Sequence, residues 1–282
     1  MRTLFFYIIL FIYPTFVFPQ TRNAKWFVDA LYECSWNFVF LQDTTGTMQQ
    51  KEDRLVLKIG KEITYGYSYL SYQGDSSITA DALKWSNYFL ENVKNGTTSN
   101  LTIGHPLATA KLFKDYKKKK ISVIDNISTH SFIYEEALEP QTWTIFDETM
   151  TITGYLCQKA VCDYRGRSYE AWFTSEIPIS EGPWKFYGLP GLIIKLYDTK
   201  RHYEFELVEF KKSDSSIDIR PLSTKTITII GQTKKLTIIE RRKFLAMKFG
   251  NQGDMLMSAE MAKIGLQHEP VERKYGYIEL DY

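Results

Sequence analysis

The sequence predicts a mainly β (α+β) protein, a curved antiparallel sheet or incomplete β-barrel with one or two packed helices. Three observations predict it. Several stretches alternate apolar and polar residues with a period of two, the signature of strands that bury one face. Turn residues punctuate those stretches, and only two segments switch to helical periodicity. Aromatic residues make up 15% of the 282 residues, enough to fill a wide β interior.

The chain opens on a segment read as an address. Met1 and Arg2 supply a minimal positive end, and Leu4 to Phe18 is an uncharged run of 15 residues broken by Pro14. That length suits a signal-peptide core and falls short of the roughly 20 apolar residues of a membrane span. Pro19-Gln20-Thr21 offers a cleavage zone without a clean small-x-small triplet. Residues 1–20 are therefore expected to be a signal peptide and 21–282 a single β-rich domain; the rival reading is one N-terminal anchor. Lys and Arg number 35 against 33 Asp and Glu, so losing Arg2 with the leader leaves 34 against 33. A balance so near zero points away from nucleic acid or an acidic membrane surface as partner.

In Tyr32 to Phe40 the even positions are large and apolar and the odd ones mostly polar, which predicts a strand. Leu55, Leu57 and Ile59 continue the pattern up to a turn at Gly60-Lys61, and Tyr65, Tyr67 and Tyr69 mark a third strand. Between Ser76 and Asn95 the spacing of Ile78, Ala82, Trp85, Phe89 and Val93 predicts a helix, with Ser76 or Ser77 as its N-cap. Residues 97–106 read as loop. Lys117 to Lys120 read as a solvated loop or charged strand edge ahead of Ile121 to Ile124. From Trp143 onward strands are expected over 143–146, 150–163, 167–174, 192–198 and 203–210, with Arg165-Gly166 as a hairpin turn. Residues 217–220 and 226–230 are short edges. Residues 237–250 read as an amphipathic helix burying Ile238, Ile239, Phe244, Leu245 and Phe249 and stopped by Gly250.

Three cysteines, Cys34, Cys157 and Cys162, cannot all pair within one chain. Cys157 and Cys162 lie five apart on one expected strand, roughly 16 Å between Cα atoms at about 3.3 Å per residue, too far to bridge. Buried thiols are the plainer expectation, with a bridge through Cys34 the alternative.

The densest run of motifs spans Gly154 to Asp198. It holds Gly154-Tyr155-x-Cys157-x-Lys159-Ala160, then Arg165-Gly166-Arg167-x-Tyr169-x-Ala171-Trp172-Phe173-Thr174. Glu176-Ile177-Pro178-Ile179, Gly182-Pro183-Trp184-Lys185-Phe186 and Gly188-Leu189-Pro190-Gly191-Leu192-Ile193 follow. This run closely resembles the GLPGLI family of exported Bacteroidetes proteins, whose namesake hexapeptide stands at Gly188 to Ile193. Weaker agreement reaches Leu57-x-Ile59-Gly60, Asp75-Ser76 and the closing Ile278-Glu279-Leu280, so the resemblance extends over most of the mature chain. It implies export to the periplasm, outer membrane or cell exterior, and brings no activity with it. The family's strand-helix order is similar to half-open β-barrels that carry lipids or lipoproteins, an analogy of fold alone.

Read physically, Gly182 to Gly191 is a loop locked by Pro183 and Pro190 and loosened by glycines. Trp172, Trp184, Phe186, Tyr187, Gly188, Leu189, Pro190 and Gly191 are its candidate ligand- or partner-binding residues. Either the aromatics plug the core or they line an apolar mouth. Gly191 is expected to hold a backbone shape closed to β-branched residues. No Gly-x-Ser-x-Gly elbow, phosphate-cradling loop or His-Glu-x-x-His helix occurs, and His105, His130, His202 and His268 are scattered. No catalytic residue, metal ligand or cofactor is assigned. Three functions remain open. The first is a non-enzymatic binding or carrier protein for an apolar ligand. The second is a module that docks on an envelope assembly with Trp184 and Phe186 exposed. The third is a cryptic hydrolase or thiol-dependent enzyme, requiring Cys157 or paired carboxylates beside a base. Membrane contact is expected only through the N-terminal segment before cleavage.

Overall fold

Period-two alternation governs the first strand, as the sequence leads one to expect. The computed structural model describes residues 24–44, 47–69, 72, 107–127, 130–229, 232–249 and 278–279. The expected signal peptide and the helix expected over 76–95 lie outside the described residues. Strand β1 (Phe27–Thr44) buries Cys34, Trp36, Phe38 and Phe40 along one face. It turns back into β2 (Thr47–Gly60), followed by β3 (Ile63–Ser68), β4 (Lys111–Asp115), β5 (Lys120–Ile127) and β6 (His130–Ala137). Each pairs antiparallel with the strand before it, so the first six strands form a meander.

A second antiparallel run comprises β7 (Thr144–Ile152), β8 (Tyr155–Tyr164), β9 (Arg167–Thr174), β10 (Leu192–Asp198) and β11 (Tyr203–Lys212). Strand β11 pairs with β1 and fuses the two runs into one large sheet. Ladder irregularities at Ser35/Trp36 and Ile193/Lys195 bend it, as extra residues in one strand do. The sheet is curved but does not close into a barrel, and β7 forms one margin. The chain then crosses behind the first meander through β12 (Ser216–Asp218), helix α1 (Arg220–Thr224) and the hairpin β13 (Thr226–Ile229) and β14 (Gln232–Lys235). It returns as β15 (Thr237–Ile238), parallel to β6, and ends its described run in helix α2 (Arg241–Phe249). Among the described residues no helix is long and apolar enough to cross a membrane.

Each face of the sheet has its own apolar cluster. On the main face Phe38 stacks on Phe205 at 4.4 Å, and the Trp36 indole donates to the Ile193 carbonyl at 2.9 Å. Phe244 of α2 covers Phe132 and Tyr134 there. On the reverse face Ile63, Phe113, Ile124 and Ile133 pack with Ile217 and Ile227 of the crossing segment.

The structure corrects several sequence readings. The strand expected over 150–163 is two strands, because Thr153 and Gly154 take positive φ (+48° and +87°) and make a hairpin turn. Strands β4 and β6 were not anticipated; most of their residues are buried on both faces, which erases alternation. The helix expected from residue 237 starts at Arg241. Thr237 and Ile238 are instead taken by the free edge of β6, and Ile238 is 71% exposed rather than part of a buried stripe. Lys117 and Lys118 are solvated at the β4–β5 turn, as expected. Cys34, Cys157 and Cys162 are free thiols, all buried.

Candidate functional site: an inward-facing loop and a cleft behind the sheet

The Gly/Pro loop joins β9 to β10 and folds back onto the main face. Its backbone is tied down at close intervals: Ile193 donates to the Glu181 carbonyl, Leu192 to that of Ile177, and Phe186 to that of Pro183. Glu181 and Tyr187 face each other as an antiparallel bridge. Trp184 adopts φ +54°, a strained conformation for a bulky residue that the surroundings must hold in place. Its indole is buried and donates to Glu279 Oε1 at 3.1 Å. Within Gly182 to Gly191, Gly188 and Pro190 are exposed; Leu189 and Gly191 are buried beside them.

The aromatic side chains point inward. Phe186 is fully buried, with Tyr169 (4.6 Å) and Tyr164 (5.2 Å) edge-on to it. The 138–143 segment straps the loop from behind: Gln141 accepts from the Tyr187 amide at 3.0 Å, and the Trp143 indole donates to the Tyr187 carbonyl at 2.9 Å. Trp172 stands apart on β9, its indole donating to Glu170 and its ring beneath Lys159. The loop thus plugs the concave face, and the exposure that a docking patch requires of Trp184 (1%) and Phe186 (0%) is absent.

Two charges inside this aromatic loop are buried and paired. Glu181 Oε2 meets Lys114 Nζ at 2.7 Å, while its Oε1 accepts from Thr64 (2.6 Å) and Tyr116 (2.5 Å). Lys114 also donates to the Phe186 carbonyl at 3.1 Å. Burial drives the Lys114 ammonium below its ordinary value, and Glu181 opposes the shift. Lys185 lies between two carboxylates, Glu136 and Glu279, the latter at 2.7 Å. Arg241 grips Glu279 Oε2 through Nη2 (2.5 Å) and Nε (2.8 Å), and Arg165 binds Glu136 at 2.5 Å. Burial alone would raise the Glu279 carboxyl, but Lys185 and Arg241 outweigh it and hold it below its ordinary range. Glu279 is therefore ionised and neutralised in place, the opposite of a protonated general acid.

Cys157 fares no better as a nucleophile. Burial above all, with the nearby Glu176 adding to it, pushes its thiol up to about 11, and its Sγ donates to the Tyr155 carbonyl. Asp198 is bound by Arg167 at 3.1 Å and caps the Tyr203 amide, a structural pair at the β10–β11 turn. Among the described residues no group of three His, Cys, Asp or Glu side chains could hold a metal ion.

Open space lies on the other side of the sheet. A cleft of about 400 Å³ separates the reverse face of β3–β5 from the crossing segment. Tyr65, Phe113, Ile124 and Lys111 form its floor; Asp218, Arg220, Ile227 and a group of threonines form its roof. None of these was named as a site residue from sequence, because the cleft assembles strands β3–β5 with a segment about a hundred residues later. The alternation Lys111-x-Phe113 was the available signal.

A family model described as "Protein of unknown function (Porph_ging)" matches residues 164–195, from the end of β8 through the Gly/Pro loop into β10. No curated protein matches the chain. Two solved structures are similar to it, "Structure of PNGF-II in P21 space group" and "Structure of PNGF-II in C2 space group". Each is 16% identical over 77% of this chain, with TM-scores of 0.48 and 0.46. The chain spans about a third of those chains, 33% and 32% respectively.

Proposed function

We propose that this chain is an exported GLPGLI-type protein that binds a small, largely apolar ligand without chemistry, in the periplasm or at the cell surface. In this reading the Gly/Pro loop is the keystone of the fold, and the ligand enters the cleft behind the sheet. The observation that carries the reading is the contrast between the two faces. The loop aromatics are packed away, while the reverse face keeps a cleft floored by Phe113 and Ile124 and roofed by Ile227. Its volume falls within the roughly 300–1,000 Å³ of small-molecule sites. Export is supported by the uncharged run from Leu4 to Phe18 and by the motif residues around Gly188 to Ile193. Native mass spectrometry of the exported, mature protein, followed by organic extraction, tests it. A co-purifying apolar molecule that disappears in a Thr226→Trp variant, which fills the cleft, supports the reading. An empty cleft that also fails to take up added apolar probes refutes it.

A second reading keeps the envelope partner but moves its contact. Strand β7 is an edge exposed on both faces over eight of its nine residues, with Ile145 and Phe146 about 45% accessible. An extended segment of an envelope protein could add there as a further strand. Phe146→Lys should then abolish site-specific photocrosslinking from β7 to a defined envelope protein; unchanged crosslinking removes this reading.

A further inference from the structure

Resting on the second reading, in which β7 takes a further strand, we propose that the added segment is basic: an extended stretch with a lysine or arginine at its centre and apolar residues to either side. The edge lacks the usual guards. Strand β7 carries neither the Lys nor the Pro with which sheet edges repel a further strand. It also leaves Ile145, Phe146 and Met150 exposed, beside Leu156 on β8. Phe146, Asp147 and Glu148 have no partners in the β7–β8 ladder, which passes from the Ile145–Ala160 pair directly to Thr149–Gln158. Such irregularities re-aim side chains, and this one falls on the two carboxylates. Apolar groups therefore flank an acidic centre.

Charge selects the occupant. Lys159 is shared between Glu148 at 3.1 Å and Glu170 at 3.2 Å. Asp147 makes no hydrogen bond or ion pair among the described residues. Asp147, Glu148 and Glu170 thus stand against one ammonium. A second copy of the chain answers none of this. Two β7 strands paired antiparallel about their midpoint set Glu148 opposite its own counterpart, and like charges directly opposite destabilise a ladder. The copy brings no cation beyond its own, already shared Lys159. A lysine or arginine placed opposite Asp147 supplies the missing charge at cross-strand distance, as a charge-assisted hydrogen bond. Main-chain bonds along the edge give affinity, and the acidic centre between Phe146 and Met150 gives the choice of sequence.

The test uses three labelled nonapeptides of alternating threonine and valine, with lysine, glutamine or glutamate at the centre, and reads fluorescence anisotropy on the mature protein. The lysine peptide should bind at least about tenfold more tightly than the glutamate peptide, with glutamine between them, and added salt should narrow the gap. The double variant Asp147→Asn, Glu148→Gln should erase the gap and keep the glutamine peptide's affinity. Methylating alternate amide nitrogens of the lysine peptide removes its ladder donors and should abolish its binding. Equal binding of all three peptides overturns the basic assignment while strand addition stands. Binding of none by the folded protein overturns both. A concentration-dependent dimer in sedimentation that is lost in Phe146→Lys would put a second copy on the edge and overturn the proposal.

Discussion

Replacing Gly191 by alanine isolates what the Gly/Pro loop demands of its backbone. A Cβ at Gly191 would lie 2.0 Å from the Thr174 carbonyl oxygen and 2.7 Å from its carbonyl carbon, where ordinary contact begins at 3.4 Å. Those atoms are main chain at the end of β9, in register with Leu192, so relieving an overlap of about 1.4 Å means shifting the β9–β10 ladder. Backbone shifts forced by overpacking cost about 1–3 kcal/mol, and the φ of +156° adds a penalty at the low end of about 1–3 kcal/mol. The sum, about 3 kcal/mol, corresponds to a fall of roughly 6 °C in the thermal midpoint for a domain of this size. Gly154→Ala is the matched control: its φ is +87° but nothing lies within 4 Å of the added Cβ. It should cost only the conformational term, about 1–2 kcal/mol. Circular dichroism melts and denaturant midpoints of the two variants give the difference directly. If Gly191→Ala is no more destabilising than Gly154→Ala, the steric account of the hexapeptide is wrong.

Three further outcomes are expected. Glu279 is held below its ordinary value in the fold, so its stabilisation is present above the unfolded carboxyl value of about 4.3 and is lost as pH falls through the depressed one. Glu279→Gln should therefore cost about 3–5 kcal/mol at pH 7, and the gap in denaturant midpoint should close as pH falls from 5 toward 3; a constant gap contradicts the ionised assignment. Lys114→Met and Glu181→Gln should each cost about 3–5 kcal/mol, because either leaves a buried partner uncompensated, while the double variant should cost clearly less than their sum. Additivity in that cycle would show the pair is not coupled. Burial pushes Cys162 up to about 12, Cys157 up to about 11 and Cys34 higher still, so a disulfide-exchange reagent at pH 8 should find almost no thiolate. All three thiols should react only after unfolding, and one fast-reacting thiol in the native protein would be the contrary result.

Strands with one wet face were legible in the sequence, and strands with two dry faces were not. Cys34 to Phe40 alternate because Asn37 and Val39 stay less buried than the even positions, while Ser35 is small enough to be buried with them. Strand β4, Lys-Leu-Phe-Lys-Asp, serves two cores at once: Leu112 and Lys114 turn to the main face, Phe113 to the reverse face. Its two lysines interrupt any apolar alternation that would mark it as a strand. The late start of α2 has a different cause. Periodicity reports side chains, whereas Thr237 and Ile238 answer the need of β6 for backbone partners, and Ile239 continues that contact by donating to the Ile133 carbonyl.

The loop shows the same limit at the level of the site. Its aromatic bulk and its Gly/Pro joints were visible, but their inward direction is decided by Glu181 and Lys185, whose partners come from β4, β6 and the chain's end. In sequence a Lys between Trp184 and Phe186 reads as solvent-facing, and nothing local names Glu136 or Glu279. Once buried, these charges forbid alternatives. Sliding the loop by one residue would leave an ammonium and a carboxylate in apolar surroundings, a penalty of several kcal/mol per ion. Such pairs need not add to net stability to matter. They penalise misplacements of the loop, and in the observed placement it touches β4 and β6 through Lys114 and Glu136 and β8 and β9 through Tyr164 and Tyr169.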